Sequence, residues 1–336
     1  MKFCRRPFEY IIIDGGEGDV YPCSWSSKKM KVGNLVRQDL PEIWNSGEMK
    51  LFRESVTDGS FRHCRPDFCP WLQRNELPEL KSESDITPVD TPVEIRIACD
   101  KTCNLCCPSC RNEVYVPTER QRENMEIIFE RVSPFLKYAS RFNIGGMGEP
   151  FASPFYMKIL ENFSPEDPDS TIYFETNGVM FDEAHWNRIS HLSNYNLCVF
   201  VSVDSLYEPS YNYLRKGGDF KKLKRNLKFI SNLRKAGNIK RFTTVMVVQD
   251  VNFREMPDFV KYSVDKLGVD SVNFLPIINW GTYTEAGMFV KDVLNPAHPY
   301  HKEFLRIREH PLMKLPQVML WSGGSSHERK EFAARI

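Results

Sequence analysis

The chain has 336 residues, with 45 Lys+Arg against 44 Asp+Glu and a formal net charge of +1, and it is 41% hydrophobic and 26% charged, all ordinary globular values. Near-neutrality excludes a protein that relies on a basic excess to hold nucleic acid, and the lack of any run of about 18 apolar residues excludes a membrane-spanning helix. The start, Met1-Lys-Phe-Cys-Arg-Arg-Pro-Phe, lacks the small-residue cleavage site of a secretory signal. A cytoplasmic globular protein, with neither nucleic acid nor membrane as partner, is the expectation.

Texture changes along the chain. Residues 1–74 carry cysteines, tryptophans, short apolar runs such as Tyr10-Ile-Ile-Ile and turns such as Asp14-Gly-Gly-Glu-Gly. They read as a small cysteine-rich domain whose core is packed by Trp25, Trp44 and Trp71. Residues 75–92, rich in Pro, Ser and acid, read as a linker. From 93 to 289 short β-branched or aromatic runs alternate with helical-period stretches. Strands are expected at 93–98, 141–144, 171–174, 197–203, 241–248 and 271–278, with helices over 122–138, 220–236 and 254–267, the last stopped by Gly268. Six strands alternating with helices predict a parallel α/β sheet whose site lies at the carboxyl ends of its strands. Residues 290–336 form a C-terminal extension, which Pro296, Pro299, Pro311 and Pro316 are expected to make irregular.

Ten cysteines stand at 4, 23, 64, 69, 99, 103, 106, 107, 110 and 198, and five of them fall within the twelve residues 99–110. In a reducing compartment such clustering points to metal ligation or catalysis, not to disulfides. Cys103, Cys107 and Cys110 give Cys-x3-Cys-x2-Cys just past the first expected strand. Three thiolates can hold a [4Fe–4S] cubane and leave one iron without a protein ligand, open to a small molecule. Cys103-x2-Cys106 and Cys107-x2-Cys110 are also acceptable zinc pairs, though two pairs without a spacer would strain to wrap one tetrahedron.

This spacing in the loop after strand one resembles that of the radical S-adenosylmethionine (SAM) enzymes. The resemblance implies that the open iron chelates the amino and carboxylate groups of SAM. One electron then yields methionine and a 5′-deoxyadenosyl radical, which takes a hydrogen atom from the substrate. Further motifs follow in order at successive strand ends: Gly145-Gly-Met-Gly-Glu-Pro150, Glu175-Thr-Asn-Gly178, Val201-Ser-Val-Asp-Ser205 and Tyr213-Leu-Arg-Lys-Gly-Gly-Asp-Phe220. One departure is Ser109, where the family often has an aromatic residue before the third cysteine. The resemblance covers 93 to about 280. It implies an α/β fold, a partial (β/α)6 TIM-like barrel, with Gly145, Gly146, Glu149, Asn177, Ser202, Asp204 and Arg215 positioning SAM.

In the amino-terminal region Cys4 and Cys23 form one spaced pair and Cys64-x4-Cys69 another. With Lys31-Val-Gly-Asn-Leu-Val, Pro41-Glu-Ile-Trp-Asn-Ser and Phe52-Arg, they look like the SPASM or twitch domains that carry auxiliary iron–sulfur clusters. In most relatives that module follows the barrel, whereas here it precedes it. Four thiolates suffice for one auxiliary [4Fe–4S] cluster; a four-cysteine zinc ribbon is the plain alternative.

Three cysteines remain. Cys106 is excluded by spacing from the three-ligand set. Cys198, inside an apolar strand, reads first as a small core hydrophobe, and Cys99 ends the first strand at the expected mouth. Cys99, Cys198 and Glu175 are the candidate catalytic groups, a thiol there being able to return a hydrogen atom to a substrate radical as in a radical epimerase. His298-x2-His301 reads as a surface turn, and Asn279, Trp280, Tyr283 and Glu285 as a substrate-side or solvated loop.

Together these features predict a radical SAM oxidoreductase or epimerase acting on a compact polar substrate such as a sugar or glycoside, since no separate leader-peptide-binding domain is evident. Maturation of a ribosomally made peptide is the alternative, and a non-catalytic iron–sulfur or zinc protein is the alternative of another class. The implied partners are the substrate and an external one-electron reductant such as flavodoxin or ferredoxin.

Overall fold

The computed structural model describes residues 2–24, 30–66 and 69–320; Trp25, expected in the small core, lies outside them. The chain forms two compact units, one of Met1–Thr102, Val116–Tyr173 and Asn194–Asn196, the other of Cys103–Tyr115, Phe174–Ser193 and the chain from Leu197 onward. No helix among the described residues is long and apolar enough to cross a membrane.

The first unit contains strands β1 (Tyr10–Asp14), β2 (Asp19–Tyr21) and β3 (Gly33–Asn34), then helices α1 (Leu40–Trp44), α2 (Gly47–Thr57) and α3 (Pro70–Arg74). Strand β4 (Glu94–Ala98), helix α4 (Glu119–Leu136), strand β5 (Arg141–Ile144) and helix α5 (Pro154–Asn162) follow. β4 pairs in parallel with β5 and, on its other edge, in parallel with β1, Ile13 standing opposite Ile97. β2 then adds antiparallel to β1, and β3 to β2. The first strand of the cysteine-rich region thus shares a sheet with the strand that leads into the Cys103 loop. Residues Tyr10 to Ile13 are buried without alternation, the pattern of a parallel strand covered on both faces.

Residues 75–92 depart from the expected linker. Phe3 N–H donates to the Pro78 carbonyl at 2.8 Å, Val89 N–H to the Phe8 carbonyl at 3.3 Å, and Trp44 Nε1–H to the Val89 carbonyl at 2.8 Å. Leu80 and Ile86 pack against a core of Phe3, Phe8, Phe52 and Val56. Apolar residues dispersed among the acids anchor a segment whose average composition is that of a solvated chain.

Strand β6 (Thr171–Thr176) passes from the first unit into the second. There the chain forms α6 (Glu183–Ile189), β7 (Asn196–Ser202), α7 (Glu208–Leu214), α8 (Phe220–Lys235), β8 (Arg241–Val248), α9 (Met256–Tyr262) and β9 (Ser271–Pro276). α9 continues through a π-helical turn, Ser263–Leu267, to Gly268. β7, β8 and β9 are parallel neighbours. Register puts Cys198, Phe200 and Ser202 on one face with Thr243, Val245 and Asn273, while Val199, Val201, Phe242, Met246, Val272 and Phe274 form the opposite, mostly apolar face together with Thr244.

The extension is more regular than its prolines suggest. It continues from α10 (Glu285–Lys291) into α11 (His301–Arg308) and β10 (Val318–Leu320), which pairs in parallel with β9. Pro311 opens a 3-10 turn, a position where the missing N–H costs nothing. His298 is buried; its Nδ1 accepts from Tyr300 N–H and its Nε2 meets the Val290 carbonyl at 3.1 Å, so this turn is fastened inward and not laid on the surface.

Ile13→Ala should cost about 2–5 kcal/mol of unfolding free energy, because a fully buried side chain of β1 is removed. Ile278→Ala, at a side chain 53% exposed, should change it by less than about 0.5 kcal/mol. Chemical denaturation of the two variants checks the contrast.

Candidate active site

The cysteine loop lies wholly in the second unit, directly beyond β4 in sequence. Each of its three spaced sulfurs receives an N–H donor. Leu105 N–H points at Cys103 Sγ from 3.4 Å and Asn177 Nδ2 from 3.9 Å; Arg215 Nη1 lies 3.8 Å from Cys107 Sγ and Arg111 Nη2 3.5 Å from Cys110 Sγ. Such donors stabilise negative charge on sulfur and so favour the thiolate, the form that binds iron. Cys106 behaves differently. Its thiol donates to the Arg111 carbonyl at 3.7 Å and its N–H to the Lys216 carbonyl at 2.8 Å, so it serves as a staple within the loop. The hydrogen-bond environment therefore separates the sulfurs of Cys103, Cys107 and Cys110 from that of Cys106, which spacing also sets apart.

Asp204 and Arg215 form a buried ion pair, Nε to Oδ2 at 2.8 Å. Burial opposes the charge on Arg215, but the carboxylate of Asp204 and the Cys107 sulfur beside it hold the guanidinium above its usual range. Asp204 is itself fixed in the left-handed region at φ +65, a costly conformation for a residue with a Cβ. Val247 N–H donates to its Oδ1 at 2.8 Å, and Asn252 Nδ2 donates to its carbonyl at 2.9 Å. Asn177 is anchored as firmly: its Oδ1 accepts from Val179 N–H and its Nδ2 donates to Asn104 Oδ1. Asn226 in turn donates to the carbonyls of Gly178 and Val179. Ser202 ends β7 and Glu175 is the penultimate residue of β6, both half-buried.

In the first unit the glycine-rich turn packs on the backbone just ahead of the cysteine loop. A Cβ on Gly148 would stand 2.6 Å from the carbonyl oxygens of both Asp100 and Thr102, closer than any side chain tolerates, so only glycine admits this approach. Gly145 and Gly146 both take positive φ. Glu149, fully buried, donates its N–H to the Thr102 carbonyl at 2.8 Å. Asp100, which the motif reading did not single out, organises this edge. Its carboxylate accepts from Thr102 N–H and Oγ1 and, at 2.5 Å, from Ser153 Oγ, while its backbone exchanges hydrogen bonds with the Tyr156 hydroxyl. Its position between the strand end and the cysteines is the signal that could have found it.

The other candidate thiols are placed less favourably. Cys99 is 0% exposed and burial drives its pKa far up, so it is enclosed in the first unit instead of standing open at a strand end. Cys198 is the third residue of β7, about 13 Å along the strand from Ser202 at 3.3 Å per residue, and burial pushes it to about 11.

The four amino-terminal cysteines meet in one cavity of the first unit. Cys4, Cys23, Cys64 and Cys69 line it with Arg6 and Trp71, around about 430 Å³ of empty space that includes its opening to solvent. Cys4 is pushed up to about 12, first by burial and then by its neighbours Cys23 and Cys69. A cationic iron–sulfur core would reverse that penalty by drawing the thiols into the thiolate form. Among the described residues no three His, Cys, Asp or Glu converge as ligands of a single ion; a cubane takes each thiolate on a different iron.

Residues 98–262 match the radical SAM superfamily, and residues 4–70 match an iron–sulfur cluster-binding domain, SPASM. The protein belongs to the radical SAM superfamily and carries a SPASM domain ahead of its radical SAM domain in the chain. Its cofactors are accordingly SAM, a [4Fe–4S] cluster and an auxiliary iron–sulfur cluster. An uncharacterized protein of Archaeoglobus fulgidus is 25% identical over 52% of this chain and 39% of its own length. A GTP 3′,8-cyclase of Listeria welshimeri is 24% identical over 56% of each chain. The chain thus spans about half the length of these curated relatives. A crystal structure of an archaeal TYW1 superposes on 48% of this chain and 60% of its own, with 15% identity and a TM-score of 0.31.

Three variants test the ligand sets. Cys107→Ser should lose about four irons per chain and all SAM cleavage, whereas Cys106→Ser should keep its iron. Cys69→Ala should lose the auxiliary iron yet still cleave SAM. Iron analysis and 5′-deoxyadenosine formation after anaerobic reconstitution check all three.

Proposed function

We propose that this protein uses Cys103, Cys107 and Cys110 to hold the SAM-binding cluster, and that it oxidises a compact polar substrate by taking a hydrogen atom from one of its carbons. The observation that carries the reading is the set of N–H donors aimed at those three sulfurs and withheld from Cys106. The bound cluster and SAM would together supply the 5′-deoxyadenosyl radical. The chain's own residues do the positioning. Arg215, held by Asp204, presents a fixed positive charge at Cys107, while Asn177 steadies the loop at Cys103 and Asn104. Cys4, Cys23, Cys64 and Cys69 would hold the auxiliary cluster, which would supply a one-electron acceptor for the substrate radical as that radical loses a proton to solvent.

A compact polar substrate is supported by two features. Half-buried Glu175 and Ser202 stand at the carboxyl ends of β6 and β7, and a similar protein is a GTP 3′,8-cyclase, named for a small polar molecule. Oxidation is favoured over epimerisation because Cys99 is enclosed and Cys198 sits at the far end of its strand, leaving neither thiol at a strand mouth.

The test is incubation with a panel of carbon-deuterated sugars and nucleotides under reducing, anaerobic conditions. The reading expects deuterium in 5′-deoxyadenosine and a product two electrons more oxidised than the substrate. A product at the substrate's oxidation level carrying solvent deuterium would mark an epimerase instead.

A further inference from the structure

We propose that the solvent face of α8 is the docking surface for an acidic one-electron carrier protein. The inference rests on the radical SAM reading, which requires an external reductant, and adds where that reductant binds. α8 carries Lys221, Lys222, Lys224, Arg225, Lys228, Arg234 and Lys235 and no acidic residue in 16 positions. Two of these cations are neutralised, Lys222 by Asp182 at 3.2 Å and Arg234 by Asp270 at 2.7 Å. The other five are exposed and, among the described residues, form no ion pair. Lys221, Lys224, Arg225, Lys228 and Lys235 recur at helical spacing on the side opposite buried Leu223, Leu227 and Ile230, so they make one stripe, about 21 Å long at 1.5 Å per residue.

Local stability does not account for this stripe. Like charges three and four residues apart repel, and lysines in the first turns oppose the positive end of the helix dipole, where acids would be favoured. The whole chain has a net charge of only +1, so the accumulation is local. It also leads to the reactive loop. α8 follows the segment Arg215-Lys216-Gly217-Gly218-Asp219, in which the backbone carbonyl of Lys216 accepts the Cys106 N–H at 2.8 Å and Arg215 donates to Cys107 Sγ. The stripe therefore begins at Lys221, just past the segment that is hydrogen-bonded to the loop with the three cysteines. Exposed charges of this kind act on the association rate more than on the dissociation rate, which suits a carrier that must arrive, deliver and leave. In the transfer the carrier is oxidised by one electron and the cluster held by Cys103, Cys107 and Cys110 is reduced by one.

The test uses the full reconstituted chain and the variant Lys221→Glu/Arg225→Glu/Lys228→Glu, none of these residues belonging to the site. SAM cleavage is driven in parallel by reduced flavodoxin, an acidic carrier, and by dithionite, and flavodoxin binding is titrated at low and high salt. The proposal expects at least tenfold weaker binding, at least tenfold slower flavodoxin-driven cleavage, a flattened salt dependence and unchanged dithionite-driven cleavage. Unchanged binding and flavodoxin-driven rate would overturn it. Equal losses with both reductants would also overturn it, because the stripe would then serve the fold. So would unchanged flavodoxin response alongside lost binding to anionic vesicles or an oligonucleotide. Absence of dithionite-driven cleavage in the parent protein would strike the radical SAM reading itself, which separates the two failures.

Discussion

The site depends on how negative charge on three sulfurs is accommodated inside a folded protein. Thiols buried in apolar surroundings prefer to stay protonated, and Cys107 shows it: burial raises its pKa, and the guanidinium of Arg215 offsets only part of the rise. The remedy is a set of donors from the loop's own backbone, from the end of β6 and from the end of α7: Leu105 N–H, the Asn177 amide and the Arg215 guanidinium. None of these could be mobile and still do this. Asn177 is pinned by Val179 and Asn104, and Arg215 by an aspartate held in a strained conformation by Val247 and Asn252. Strain of that kind persists only where surrounding bonds over-determine it, and here it aims a cation at the Cys107 sulfur.

The amino-terminal region faces the same problem with a different solution. Its four thiols share a cavity with Arg6, whose guanidinium also lies 4.3 Å over the Tyr10 ring. Because Tyr10 begins β1, and β1 pairs along its whole length with β4, the cysteine-rich module is built into the sheet that precedes the reactive loop. A module placed ahead of the barrel in the chain thereby needs no long connection to be held in place.

Much of this was legible in the sequence, for identifiable reasons. The strand at 241–248 is largely a run of β-branched and aromatic residues, and Arg141-Phe-Asn-Ile144 alternates polar with apolar before Gly145-Gly146; the structure reproduces both spans. The Cys-x3-Cys-x2-Cys motif is a matter of spacing, which the chain states outright. Other features need tertiary information. Tyr10-Ile-Ile-Ile is visibly apolar, but its partner lies more than 80 residues away, and nothing local announces the pairing. The role of Asp204 depends on a backbone conformation that aspartate adopts only when held, so its link to Arg215 is invisible in the motif. Leu77, Leu80 and Ile86 sit in an acidic, proline-bearing stretch whose composition masks their anchoring. The tail misled for the converse reason: its prolines fall at caps and between elements, where they are compatible with α11 and β10.

The most direct test of the central claim is electron–nuclear double resonance on the reduced protein mixed with SAM labelled with nitrogen-15 and oxygen-17 in its methionine moiety. Three-sulfur ligation predicts hyperfine coupling from both labels, because the fourth coordination position belongs to the cosubstrate. A spectrum that shows no coupling to either label would mean that this position is closed, and would contradict the account.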